Sequence, residues 1–252
     1  MKIPGTGIAS TRGRAVIGAR RFNILFQAGF SVMFLLLSGA ASTAQAQEAQ
    51  FGIDFTTVVP TGDFSKNVTN NGYGVGVQFF RSLGKKPILL GVEAAFATYG
   101  SDEHREPISE TIPELRVKVR TNNNITFTHF VLRAQIPKGN IRPYADALVG
   151  FKYLATNTTI LNDANDEELA STKNLSDLVF SYGFGGGVQV RLGRVGSTGD
   201  IALDTKVRYL RGSRADYLKE GSVRRENGSV FFDVLNSRTD VVSLQIGVTF
   251  RW

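Results

Sequence analysis

The sequence predicts an all-β chain, a transmembrane up-and-down antiparallel β-barrel, most simply of eight strands, behind a cleaved N-terminal leader. Three observations predict it. Segments with period-two alternation recur along the chain, ionised residues keep to one face of those segments, and the connections alternate between short and long.

Residues 1–21 are polar and basic, an apolar run spans Phe22 to Leu37, and small residues follow from Ser38 to Ala46, with Ala44-Gln45-Ala46 as an A-x-A cleavage site. This is the order of a secretory signal peptide, so residues 1–46 are read as the leader and residues 47–252 as the barrel domain. A retained anchor is the other reading, since the run is near the lower length limit for spanning. Lys2, Arg12, Arg14, Arg20 and Arg21 lie in the leader with no acid, so its removal lowers the formal charge by five, from +7 to +2. The basic balance then gives no support to a nucleic-acid partner.

Composition narrows the chemistry. The absence of cysteine excludes disulfides, thiolate metal sites and a cysteine nucleophile. Two histidines, His104 and His129, do not make a multi-histidine metal site, and no cofactor is expected. Twenty-seven glycines cluster inside strand-like segments, and eighteen phenylalanines suit β structure.

The strands follow in chain order. Phe51–Val59 carries Asp54 on its inward face, Tyr73–Ser82 is glycine-rich, and Leu89–Tyr99 carries Glu93. Thr126–Ile136 carries Arg133, with His129 on the same parity, and Tyr144–Ala155 carries Asp146 and Lys152. In Leu178–Leu192 the even positions are greasy (Phe180, Tyr182, Phe184, Val188), and the odd ones are small or polar up to Arg191. Ile201–Leu210 sets Ile201, Leu203, Thr205, Val207 and Tyr209 against Ala202, Asp204, Lys206, Arg208 and Leu210. The last segment sets Val242, Leu244, Ile246, Val248, Phe250 and Trp252 against Ser243, Gln245, Gly247, Thr249 and Arg251. Each segment has about the length that a tilted strand needs to cross a bilayer.

The outward faces are read as free of charge, and ten ionised residues are assigned to the interior. A charge facing mid-membrane lipid costs about 2–4 kcal/mol for Arg or Lys, so the ten need a protected lumen where opposite signs pair. In a soluble barrel the charged face would meet water instead, and the glycines of Tyr182–Gly187 and Tyr73–Val77 would only weaken the strands. In a narrow barrel they make room for bulky interior neighbours. Phe51, Phe79, Tyr153, Tyr209, Phe250 and Trp252 sit near strand ends, where interface girdles belong.

Short connections are Gly84 to Pro87, Pro137 to Pro143 and Gly193 to Asp200; long ones are Pro60 to Gly72, Gly100 to Asn124, Thr156 to Asp177 and Arg211 to Arg238. Glu114–Arg120 alternates too and reads as strand continuing above the membrane, as Val230–Leu235 does; as spanning strands they would make ten.

The C-terminal Gln245-Ile246-Gly247-Val248-Thr249-Phe250-Arg251-Trp252 resembles the β-signal of outer-membrane proteins, carried by Gln245, Gly247, Phe250 and Trp252. That resemblance implies recognition by the barrel-assembly machinery. Val59-Pro60-Thr61-Gly62-Asp63-Phe64-Ser65 and Arg142-Pro143-Tyr144-Ala145-Asp146-Ala147-Leu148-Val149-Gly150 resemble the small porin-like outer-membrane β-barrel family common in Bacteroidetes. The family implies the fold and a bacterial outer-membrane location, not a pore. Pro143 can start a strand without losing a ladder bond, and Tyr144 is expected at the periplasmic rim.

An interior so narrow is expected to be filled by side chains, and the ten charges to form a salt-bridged plug with little conductance. His129 lies on the inward parity with Ser and Thr plentiful around it, which a Ser–His–acid site would need, but no matching motif accompanies it, so no enzyme is expected. Asp163 to Glu168 and Arg211, Arg214, Lys219, Arg224 and Arg225 read as solvated loop charges, with divalent ions or lipopolysaccharide phosphates as the sharper alternative. The expected partners are outer-membrane lipid and lipopolysaccharide, contacted by a monomer. A structural or interaction role through the long loops leads; a narrow channel, a lipid-modifying enzyme and a soluble periplasmic ligand-binding barrel are the alternatives.

Overall fold

Eight strands close into one antiparallel ring in the computed structural model, which describes residues 48–84, 87–109, 112–163, 166–196, 199–219, 221–226 and 229–252. The leader with Ala44 and Ala46 lies outside the described residues. The elements are β1 (Ala49–Pro60), α1 (Gly62–Asn67), β2 (Gly72–Ser82), β3 (Ile88–Ser109), β4 (Ile112–Gln135), β5 (Ile141–Asn162), β6 (Glu168–Val195), β7 (Gly199–Gly212), β8 (Arg214–Tyr217), β9 (Val223–Glu226), β10 (Ser229–Phe232), β11 (Leu235–Arg238) and β12 (Val241–Arg251). The ring runs β1-β12-β7-β6-β5-β4-β3-β2. Two small sheets, β8 with β11 and β9 with β10, occupy the connection from β7 to β12. Val230–Leu235 therefore adds no spanning strand, and the barrel has eight rather than ten.

The register fixes the shape. From Ala49 the pairing runs through Arg81, Leu90, Leu132, Ala147, Phe184, Tyr209 and Val242 and returns to β1 at Val59. One circuit thus climbs from position 49 to position 59, a shear of ten residues. Such a stagger tilts the strands and gives an eight-stranded barrel a lumen only wide enough for side chains.

Burial alternates as the sequence pattern predicts. In β5 the even positions from Arg142 to Leu154 are buried and the odd ones from Ile141 to Phe151 exposed. Ile53, Val75, Phe130, Phe184, Val207 and Ile246 form part of an exposed apolar belt. Among the described residues no helix is long and apolar enough to cross a membrane; the crossing is made by strands, whose backbone groups pair within the closed ring.

Three expectations need correction. Arg81 lies on the outward parity of β2, paired with Ala49 and Leu90, so the outward faces are not wholly free of charge. It sits at the short-turn end, where a long side chain can reach the headgroups. The second and third long connections are mostly strand: β3 pairs β4 out to Ser109 and Ile112, and β5 pairs β6 out to Leu161 and Glu168. Beyond the belt no lipid demands an apolar face, so the alternation that marks a strand fades over much of these segments, although Glu114–Arg120 keeps it. Among the girdle candidates, Phe79 and Tyr153 are covered by neighbours (5% and 7% exposed), whereas Phe250 and Trp252 stay open.

A belt that faces hydrocarbon sets a directional test. Val207→Arg, on the outer surface, is expected to lose about 2–4 kcal/mol in reversible unfolding from lipid vesicles. A change below about 0.5 kcal/mol, the usual size for a solvated surface position, would place this face in water.

Candidate functional site

Among the described residues the lumen holds the largest concentration of buried polar groups, and it is layered. Nearest the short turns, Gln50 donates to Gln135 (2.9 Å), Gln135 to Gln189 (2.7 Å), and Gln189 back to Gln50 (3.1 Å). The three amides close a hydrogen-bonded ring across the barrel. Each comes from a different strand at an inward position, so only the closed ring of strands brings them together.

Above it lies an ion network. Arg133 donates to both oxygens of Asp146 at 2.8 and 3.0 Å. Arg208 donates to Asp146 at 2.7 Å, to Glu93, and to Gln245 at 3.2 Å. Lys206 bridges to Asp54 at 2.7 Å and lies 3.9 Å from Asp204. Asp204 also accepts from Tyr144 (2.5 Å), Gln78 (2.9 Å) and Thr249 (3.2 Å). The Arg133 guanidinium is sandwiched between the rings of Phe80 and Tyr144, 3.9 and 3.6 Å from their centroids. Planar guanidinium suits such stacking and two-point carboxylate contact at once.

Higher again, His129 Nε2 pairs with the Ser181 hydroxyl at 3.0 Å, and Lys152 donates to the carbonyls of Leu210 (2.9 Å) and Thr239 (2.5 Å). An apolar cap closes the far end. Phe64 of α1 packs edge-on against Tyr99 and Tyr217, with centroids 5.6 and 5.0 Å apart. Asn67 donates to the Tyr217 hydroxyl at 2.9 Å, tying α1 to β8. Gly62, at φ 60°, makes the turn that folds α1 over the lumen. This is the physical content of the Thr61-Gly62-Asp63-Phe64 motif.

Of the ten residues assigned to the interior, eight are inside it. They are Asp54, Glu93, Asp146 and Asp204 with Arg133, Lys152, Lys206 and Arg208, each less than 5% exposed. Four acids against four bases leave the deep lumen formally neutral, the arrangement that burial of charge requires. Arg191 and Arg251 are corrections: they lie at the short-turn mouth, paired with Asp200 (3.4 Å) and Glu48 (2.5 Å), their side chains 27% and 15% exposed. Tyr144 is another. It points into the lumen rather than standing at the rim, because its even parity in β5 matches that of Asp146. Gln50, Gln135, Gln189 and Phe80 are site residues that sequence reasoning does not single out; they share the inward parity, but their uncharged character gives no separate signal.

The β-signal residues also have places here. Gln245 points inward between Arg208 and Thr56, and Phe250 and Trp252 face outward. Gly247 pairs with Asp54 on one side and Asp204 on the other. A Cβ there would run into the Ile53 carbonyl and lie 2.6 Å from an Asp54 oxygen, so its absence lets Lys206 reach across β12 to Asp54.

Outside the belt, charges tie the two long hairpins together. Arg105 of β3 meets Asp163 at 2.7 Å, and Lys118 of β4 meets Asp166 at 2.6 Å. The hydrogen bond from Lys118 holds the Asp166 carboxyl below its ordinary range. The Asp163–Glu168 stretch thus uses two of its acids on neighbouring cations, and no cluster of metal-ligating residues occurs among the described residues. His104 is in β3 rather than a loop, 3.3 Å from Asp102. Arg214 donates to Asn236 across β8 and β11.

The sequence matches the model for the outer membrane protein beta-barrel domain over residues 31–250. Among solved structures, Neisserial surface protein A is 11% identical, with 83% of this chain and 98% of that one covered and a TM-score of 0.38. A major outer membrane protein from Thermus thermophilus is 9% identical, covering 81% and 99%, with a TM-score of 0.40. Ail, the attachment invasion locus protein of Yersinia pestis, in complex with the heparin analogue sucrose octasulfate, is 13% identical, covering 82% and 100%, with a TM-score of 0.35. No curated protein matches.

The network sets two expectations. Asp146→Ala strands two buried guanidiniums and is expected to cost about 3–5 kcal/mol in denaturant unfolding from micelles. Gly247→Val is expected to reduce the heat-modifiable folded fraction on gels, whereas Val248→Leu, on the outer face of the same strand, leaves it unchanged.

Proposed function

The chain belongs to the outer membrane protein beta-barrel domain family, and from that premise we propose that it works at the cell surface by contact rather than by transport or catalysis. It is a protein of the bacterial outer membrane, with the short turns on the periplasmic side and the long hairpins outside. What carries the proposal is the extension of β3, β4, β5 and β6 past the apolar belt as a paired sheet, braced by Arg105–Asp163 and Lys118–Asp166. Hairpins of this length are not needed to close the barrel. Ordered strands present a surface at lower entropic cost than free loops do.

The lumen supports the same reading from the other side. The glutamine ring, the ion network and the Phe64 cap lie in series, and displacing any of them breaks buried hydrogen bonds or packing. His129 is 1% exposed beneath the cap, remote from substrates at the outer rim. Lipid and lipopolysaccharide are the surroundings we propose for the extension, and the assembly machinery is the proposed reader of Gln245, Gly247, Phe250 and Trp252.

Planar-bilayer recording tests the closed lumen. The purified barrel is expected to show no stepwise conductance, and regular unitary steps would overturn the proposal in favour of a narrow channel. A chain with the β3–β4 and β5–β6 extensions replaced by tight turns is expected to keep heat-modifiable migration. Loss of folding would mean that the extensions serve stability instead.

A further inference from the structure

Below the glutamine ring, the periplasmic mouth of the barrel forms a pocket of about 420 Å³. Its wall holds Lys138, Arg142, Arg191, Arg194 and Arg251 against a single carboxylate, Asp200. Glu48 engages Arg251 from outside that wall, so three positive charges remain in surplus. These residues come from the β4–β5 turn and from the ends of β5, β6, β7 and β12. They converge because a bulge in β6 between Arg191 and Gly193 sets Arg194 opposite Asp200, on the inward side with Arg191. A bulge that re-aims a side chain is a common device beside binding sites.

The cations are partly spoken for, and the remainder is informative. Arg142, 3% exposed, donates through Nε to the Gly139 carbonyl and through Nη2 to Asp200, both at 2.8 Å. Arg251 donates through Nη2 to the Pro137 carbonyl at 3.2 Å. The Nη1 of each is buried without a hydrogen-bond partner. Two guanidiniums on one wall with an unused donor, beside Arg191, Arg194 and Lys138, are a costly gathering of like charge unless an anion joins them. The planar fork of arginine matches the oxygens of a phosphate group.

We propose that this mouth is an anion site for a phosphate group, carried either by a small soluble molecule of the periplasm or by a phospholipid headgroup of the inner leaflet. The groups that hold it are Arg142 and Arg251 at the back and Arg191, Arg194 and Lys138 at the opening. The glutamine ring separates the site from the lumen, so occupancy does not imply passage.

The protein in uncharged detergent micelles is titrated calorimetrically with inorganic phosphate at low ionic strength. In a second arm, nanodiscs containing phosphatidylglycerol are compared with phosphatidylcholine nanodiscs for retention of the anionic lipid. Arg191→Gln with Arg194→Gln removes two cations at the open rim and leaves the buried Arg142 in place. Arg214→Gln with Arg238→Gln removes the same charge at the other end of the barrel. Saturable phosphate binding that falls about tenfold or more in the first pair, and stays within about twofold in the second, is the expected result. Binding seen in the first arm names a soluble ligand, and binding confined to the phosphatidylglycerol arm names the lipid. No saturable binding in either arm, or an equal loss in both pairs, overturns the site and leaves only diffuse attraction to a basic rim. Heat-modifiable migration of each variant checks that it is folded.

Discussion

Hydrocarbon offers no hydrogen-bond partner, and that one constraint shapes the rest of this molecule. Every strand must find its backbone partners in another strand, so the sheet has to close. Closure at a shear of ten with eight strands leaves a lumen just wide enough for side chains to fill. Whatever is polar and cannot face lipid is sent there, and it must be satisfied within a space set by the ring.

The interior answers with a dense network of ion pairs and hydrogen bonds. Four buried acids meet Arg133, Lys206 and Arg208, Lys152 is held by two backbone carbonyls, and Asp146 and Asp204 each collect several donors. Such a network is weak evidence for stability, because desolvation offsets much of the attraction. Its clearer consequence is register. Lys206 reaches Asp54 only while Gly247 lies between them, and Arg133 reaches Asp146 only while β4 and β5 hold their pairing. A slip of one residue would turn these charges toward lipid.

The two ends differ because the constraint stops at the belt. Outside, β3 to β6 continue as a polar sheet whose strands are held by pairing and by ion pairs such as Lys118–Asp166. At the periplasmic mouth the turns are short and the charge is unbalanced, with Asp200 shared between Arg142 and Arg191. Between them lie the glutamine ring and the Phe64 cap, one at each end of the ion network.

The alternation of Ile201–Leu210 and Val242–Trp252 by itself determined strand identity and facing, because successive side chains of a strand point to opposite sides and only one side can carry charge against lipid. Asp204 and Arg208 were legible as inward for that reason. Their partners were not. Tyr144, Gln78 and Glu93 come from strands far away in the chain, and only the shear decides which inward positions share a level. The same holds for Gln50, Gln135 and Gln189, three ordinary polar residues until the ring brings them within hydrogen-bond reach. The full length of the strands beyond the belt and the convergence of the mouth cations were hidden for the opposite reason, although Glu114–Arg120 was legible as strand and Arg191 and Arg251 as inward. With water on both faces the period is kept only in part, and the β6 bulge that turns Arg194 inward leaves no mark in composition. Sequence decided which face each residue takes, because solvent chemistry acts on one strand at a time; tertiary structure decided which residues meet, because stagger is a property of the closed ring.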